Sequence, residues 1–301
     1  MRTAFIDSLL ALAEQDRRVW LVNGDLGYSV LERFAERFPA RYLNAGVAEQ
    51  NMTGVAAGLA LAGNVVFTYS IANFPTLRCL EQVRNDVCYH DLPVIVVAVG
   101  GGLSYGSQGY THHGVEDFAV MGALPNMVVV APGDPAETRL ATAALLVRGR
   151  PGYLRLGKAG EPVVHSADPP FALGKAILLR DGPDATLIST GGMLQTTLAA
   201  ADLLATRGQR VRVLSMPTVE PLDEVAVVAA ARETGTVVTV EEHGPGGLGS
   251  RAGEVIARAG LGVRFVPVRL GRTPIKVAGS QIGLRAAQGL SAEGIAAAVG
   301  G

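Results

Sequence analysis

Apolar positions along the chain switch between two spacings. Short runs rich in Val, Ile and Leu at residues 18–23, 65–69, 94–99 and 127–131 are closed by polar or turn residues, the pattern of strands buried on both faces. Between them, residues 49–62, 77–89 and 135–146 carry apolar positions at helical spacing, as does the N-terminal stretch before Arg17. Asp134 followed by Pro135 is a helix-start signal, with proline tolerated in the first turn. The chain then becomes polar and turn-rich over residues 158–173 before the alternation resumes. Strands are predicted at 185–189, 211–214, 237–240 and 263–268, and helices at 193–206, 222–232, 249–259 and 291–299. Strand–helix–strand alternation implies right-handed crossovers and mostly parallel sheets. The expectation is an α/β protein of two domains, each a mostly parallel sheet flanked by helices. The first covers 1–160 and the second 174–301, joined by a linker at 161–173.

Composition narrows the function classes. With 301 residues and 49% hydrophobic content, the chain has enough core for two domains of roughly 100–200 residues each. A net charge of −1 with no basic stretch argues against a nucleic-acid partner. No run of about 18 apolar residues is present, and the N-terminal stretch is broken by Asp7, Glu14 and Asp16, so neither a membrane span nor a signal peptide is expected. Cys79 and Cys88 have no metal-ligand neighbours and read as core residues of a reduced, cytoplasmic chain.

Two stretches carry candidate chemistry. In NAGVAEQNMTGVAAG, Glu49 opens a helix whose next residues are small. It is either a capping carboxylate or a carboxylate facing a ligand that lies close to small-residue backbone. In GGGLSYGSQGYTHHGVED, a glycine-rich loop follows a buried strand, placing it at the sheet edge where α/β proteins bind ligands. It carries His112, His113, Glu116 and Asp117. No further Cys or His lies at ligand spacing, so acid–base or hydrogen-bonding work by one imidazole is favoured over a metal site. Neither the Walker A pattern nor the dinucleotide fingerprint is matched. Asn23-Gly24-Asp25-Leu26 imitates the start of a diphosphate–metal motif, but Leu26 replaces its second glycine and Asn44 comes too early.

Seven segments in order, MRTAFIDSLLALAEQDRRV, DLGYS, NAGVAEQNM, LEQVRNDV, GYTHHGVEDFAVM, LPNMVVVAPGDPAET and VEEHGPGGLGS, resemble the C-terminal half of transketolase, in particular the separate C-terminal subunit of split transketolases. The resemblance covers nearly the whole chain. It implies a thiamine-diphosphate pyrimidine-binding domain followed by a transketolase C-terminal domain.

By position it implies that Glu49 hydrogen-bonds the pyrimidine nitrogen N1′ and favours the imino tautomer that takes the thiazolium C2 proton. Phe74 would stack on the pyrimidine, with Ile71 where the family has a further phenylalanine. Asp25 and Ser29 would lie near the cofactor and substrate channel, and His112 would contact substrate. The Gly-Asp-Gly…Asn motif that grips the diphosphate through Mg²⁺ or Ca²⁺ is absent from the sequence. The resemblance therefore implies an N-terminal partner subunit carrying it, cofactor shared at the interface, and an α2β2 assembly.

Three departures bear on substrate. Gly100 stands where sugar-phosphate transketolases place a histidine, Ser107-Gln108 replaces an acidic pair, and Lys158, with Arg155 nearby, stands for a phosphate-contacting arginine. A modified donor or acceptor is expected. The function implied is two-carbon ketol transfer from a ketose or α-keto donor to an aldehyde. The alternatives are a 2-oxo-acid dehydrogenase β subunit, an acyl transfer from pyruvate like that of deoxyxylulose-phosphate synthase, or a non-catalytic regulatory scaffold for the N-terminal subunit. Glu241, Glu242 and His243 in the second half read as a packing loop that caps a sheet against a neighbouring subunit.

Overall fold

The computed structural model describes residues 1–158 and 160–300. Its strands are β1 (Val19–Asn23), β2 (Tyr42–Asn44), β3 (Val65–Ile71), β4 (Val94–Val99), β5 (Val128–Val130), β6 (Gly152–Leu156), β7 (Ile177–Arg180), β8 (Ala185–Ser189), β9 (Val211–Ser215), β10 (Thr218–Glu220), β11 (Thr236–Val240) and β12 (Arg264–Val268). They form a seven-stranded sheet in the order β10-β5-β6-β4-β3-β1-β2 and a five-stranded sheet in the order β12-β11-β8-β9-β7. All pairs are parallel except β10 with β5 and β7 with β9, each at a sheet edge. Helices flank both sheets, as the alternation predicts.

β3 and β4 are buried at every position, and their Val, Ile and Phe side chains feed cores on both faces. The helix Glu49–Leu61 lies close on one face because Ala56, Ala57 and Ala60 meet Val22, Val66 and Val94 without bulk between them. Asp134 caps the helix Pro135–Arg148, accepting from the Glu137 amide at 2.8 Å. Its second oxygen accepts from the amides of Val164 and His165, which ties the segment after β6 back to the first sheet.

Differences from the sequence pattern have local causes. Residues 77–89 do not form one helix: Phe74–Leu77 and Leu80–Gln82 are short turns separated where Cys79 leaves helical geometry at φ −124°, and Val83–Cys88 is a π-helix. β10 lies beyond the linker yet pairs with β5 of the first sheet, so the two halves share an edge. β2, β6, β7 and the helix Gln281–Ala287 were not predicted.

Arg155, on β6, joins the halves. Its Nη2 donates to the carbonyls of Gly114 and, at 3.0 Å, Glu242; its Nε lies 3.1 Å from Asp117 Oδ2, and its Cζ sits 4.2 Å over the Phe118 ring. The Tyr153 hydroxyl donates to Asp117 at 2.6 Å. Nearby, Glu241 accepts from the amides of Leu248 and Gly249, while the His243 Nε2 accepts from the Phe118 amide at 3.0 Å. Both groups are fully buried. Burial, only partly offset by those two amides, raises the Glu241 carboxyl from 4.5 to about 7; burial lowers the His243 imidazole from 6.5 to about 4.

The folded chain therefore holds the Glu241 proton between pH 4.5 and 7 when the unfolded chain does not, so this group loses stability as pH rises through that window. His243 behaves oppositely, because the unfolded chain takes up its proton first below pH 6.5 and stability is lost as pH falls towards 4. The two slopes oppose each other from pH 4.5 to 6.5. Wild-type stability should be nearly flat there, whereas His243→Gln, which keeps an acceptor for the Phe118 amide, should lose roughly 3 kcal/mol between pH 4.5 and 7. Urea midpoints measured across that range check this, and identical pH slopes in both proteins contradict it.

Candidate active site

Parallel strands deliver their following loops to one end of the sheet, the edge at which open α/β sheets bind ligands. Here that edge receives Gly24 and Asp25 after β1, Glu49 after β2, Phe74 after β3, the loop from Gly100 to His113 after β4, and Lys158 after β6. Glu49 is the first residue of its helix and only 3% exposed. The helix N-terminus favours the negative charge there. Thr53 Oγ1 donates back to the Glu49 carbonyl, so the turn is closed while the side chain is left for another partner.

That partner is Arg78, which the sequence pattern did not single out. Its Nη1 lies 3.2 Å from both Glu49 oxygens, and its Cζ sits 4.0 Å from the Phe74 ring centroid. The signal was available in outline: Phe74 and Arg78 are four residues apart, the spacing that sets side chains on one face of a helical turn. Phe74 in turn meets the His112 ring edge-on at a centroid distance of 5.4 Å. Asn73 donates to the Thr111 carbonyl, pinning the His112 loop to the Phe74 segment, and Thr111 Oγ1 lies 3.0 Å from His112 Nδ1. Glu49, Phe74 and His112 thus form one chain of contacts through Arg78.

The remaining candidates lie around this chain unequally. Ile71 ends β3 and belongs to the first core, against which Phe74 and Tyr105 also pack. Asp25 takes a left-handed φ of 56° and is held by Asn44, whose Nδ2 donates to it at 2.9 Å; both line a cleft of about 300 Å³ with Asn23 and Tyr42. Ser29, also left-handed at φ 62°, is exposed, and its amide donates to Glu32. Gln108 is exposed on the loop, and Lys158 is exposed with its Nζ 5.5 Å from the Tyr105 ring. Arg155 stands apart. It is 7% exposed and turned into the junction between the halves, so the structure does not place it with the other substrate candidates.

The histidine-rich cluster separates in the same way. His113 is buried and burial pushes its imidazole down, Glu116 accepts from the Tyr110 hydroxyl, and Asp117 serves Arg155 and Tyr153. Glu241 and His243 hold backbone amides, and Glu242 is bound by Arg285 at 2.7 and 2.8 Å. At Gly100, φ is +76°, and a Cβ there would come within 2.0 Å of the Tyr105 ring. A side chain at that position would have to displace the Tyr105 ring, which takes up its space here.

The donor set suits a flat, nitrogen-bearing ring on this chain's side. A planar guanidinium already bonds Glu49 while lying on Phe74. Gly24 leaves room beside the Glu49 Cγ, 3.5 Å from where its Cβ would be, and the buried Ser70 hydroxyl at the same spot has no partner.

The fold and this edge define a two-sheet α/β protein with a buried carboxylate and an aromatic side chain grouped at one end of the first sheet. Residues 1–160 match the transketolase pyrimidine-binding domain and residues 174–295 the transketolase C-terminal domain, and the chain belongs to the transketolase family. It is 40% identical over 270 residues to the B component of the apulose-4-phosphate transketolase of Phocaeicola vulgatus, covering 89% of this chain and 86% of that one. It is 38% identical over 286 residues to 6-deoxy-6-sulfo-D-fructose transketolase subunit SqwH of a Clostridium species, covering 94% and 87%. Against 1-deoxy-D-xylulose-5-phosphate synthase of Syntrophotalea carbinolica, 38% identity extends over 301 residues but over only 47% of that protein. A solved structure described as a split-gene transketolase, an inactive beta4 tetramer, superposes with a TM-score of 0.89 at 36% identity, covering 99% of this chain and 96% of that one.

Proposed function

We propose that this chain is the pyrimidine-binding subunit of a heteromeric, thiamine-diphosphate-dependent transketolase that moves a two-carbon ketol unit from a ketose or α-keto donor to an aldehyde. The observation that carries this is the buried Glu49 carboxylate at a helix start, grouped with Phe74 and His112 at one sheet edge, in a chain alike in length and sequence to single components of two-component transketolases. What thiamine diphosphate supplies is a stabilised carbanion at its thiazolium.

The chain's own residues do the rest. Glu49 would accept a hydrogen bond at a carboxylate oxygen from the protonated ring nitrogen N1′, in a site where burial strengthens that bond. Phe74 supports the ring face, Ile71 and Asp25 line its surroundings, and His112 bonds the hydroxyls of the reacting sugar. Gln108, Ser29 and Lys158 are the exposed groups left to meet the rest of the substrate. Arg155 is assigned to holding the two halves together instead.

An N-terminal subunit with the Gly-Asp-Gly…Asn motif holds the diphosphate through Mg²⁺ or Ca²⁺, in an α2β2 assembly. A relative whose beta4 tetramer is inactive supports this division of labour. The reading places the enzyme in the cytoplasm, where the free thiols of Cys79 and Cys88 stay reduced. Among the described residues no helix is long and apolar enough to cross a membrane.

Purified chain mixed with its partner, cofactor and Mg²⁺ should cleave a ketose or α-keto donor, and no cleavage of any such donor defeats the proposal. The match to deoxyxylulose-phosphate synthase favours a second reading, acyl transfer from pyruvate, which CO₂ release would reveal. Under the main reading, His112→Ala should lower kcat/KM by about 10²-fold while leaving cofactor affinity unchanged. Steady-state kinetics and calorimetry together check this.

A further inference from the structure

Arg78 stands where the cofactor ring is assigned. Its guanidinium carbon sits over the Phe74 ring and its Nη1 bonds both oxygens of Glu49, the same two contacts that the proposed function gives to the aminopyrimidine. With Cζ 4.0 Å from the ring centroid, no gap remains between guanidinium and phenyl for a second planar group. We propose that Arg78 is an internal occupant of the pyrimidine slot, one that satisfies Glu49 in the empty subunit and must leave before the ring can enter. This rests on the assignment of Glu49 and Phe74 as the ring's contacts.

The geometry suits a partner that is present yet easily displaced. Glu49 is 3% exposed, and a buried carboxylate left without a partner is costly. Arg78 provides that partner from the solvent side, with 48% of its side chain exposed. A single nitrogen bridges both oxygens at 3.2 Å, longer than the usual charge-assisted bond of about 2.7–2.9 Å, and an ion pair so exposed is weakly held. When a binding-competent form is only a fraction of the population, apparent affinity falls by that fraction. An Arg78 seated nine-tenths of the time therefore weakens cofactor binding about tenfold.

The test titrates thiamine diphosphate with Mg²⁺ by calorimetry into the complex with the N-terminal subunit, carrying wild-type chain, Arg78→Ala or Arg78→Lys. Arg78→Ala should bind about tenfold more tightly. Arg78→Lys should fall between, because lysine keeps the charge but has no planar group to set over Phe74. Binding in both variants that is equal to wild type or weaker overturns the occupant role. A wild-type complex that takes up no cofactor overturns instead the assignment on which it rests. Should circular dichroism show the alanine variant unfolded, the lysine variant decides alone, tighter binding supporting the occupant and equal or weaker binding overturning it.

Discussion

Glu49→Gln in the assembled enzyme is expected to lower kcat by about 10²–10⁴-fold while leaving the fold intact. The substitution keeps the shape of the side chain and one acceptor oxygen. It removes the negative charge that favours a proton on the ring nitrogen, which is the work assigned to this residue. Stability should change by less than about 1 kcal/mol, the usual worth of an acidic group in the first turn of a helix. Its ion-pair partner Arg78 is half-exposed and returns to water without penalty. Activity and stability therefore separate. Steady-state rates paired with a urea melt make the comparison, and an unchanged rate would support the scaffold alternative.

Arg155→Ala is expected to destabilise the chain by about 3–5 kcal/mol, because it takes the cation from the buried Asp117 and the side-chain donor from the Glu242 carbonyl. Set against a typical total of about 5–15 kcal/mol, that loss is large enough to expose the junction between the two sheets. Arg155→Met keeps the packing over Phe118 and should recover only part of it. A urea midpoint within error of wild type would contradict this role and return Arg155 to the groups free to bind an anion.

These two arginines show where sequence was informative and where it stopped. Helix 49–62 and strands 65–69 and 94–99 were legible because their apolar residues are dense and uninterrupted, and the helix and strands observed there differ from them by at most two residues at an end. β6 was not. Its five residues GYLRL follow Pro151 and hold an arginine at a position buried on both faces, so a structural side chain looked like an anion ligand. β2 and β10 are three residues each, too short for any period to show, and β10 gains its place only by pairing with β5 across the linker.

At the site, Glu49 stood out through its place at the start of a small-residue helix, whereas Phe74 stood out only through family resemblance. Arg78 was hidden because its partner lies 29 residues earlier, in a contact made only when the turns after β3 fold against the helix after β2. Gly100 is a further case. The sequence showed a missing histidine, and only the structure shows that Tyr105 takes up the room.

The central claim is that this chain offers one wall of a cofactor site completed by another polypeptide. Calorimetric titration of thiamine diphosphate with Mg²⁺ into the isolated chain, the isolated N-terminal subunit and their mixture tests it directly. Tight binding in the mixture alone is the expected result. Equally tight binding by the isolated chain would contradict it.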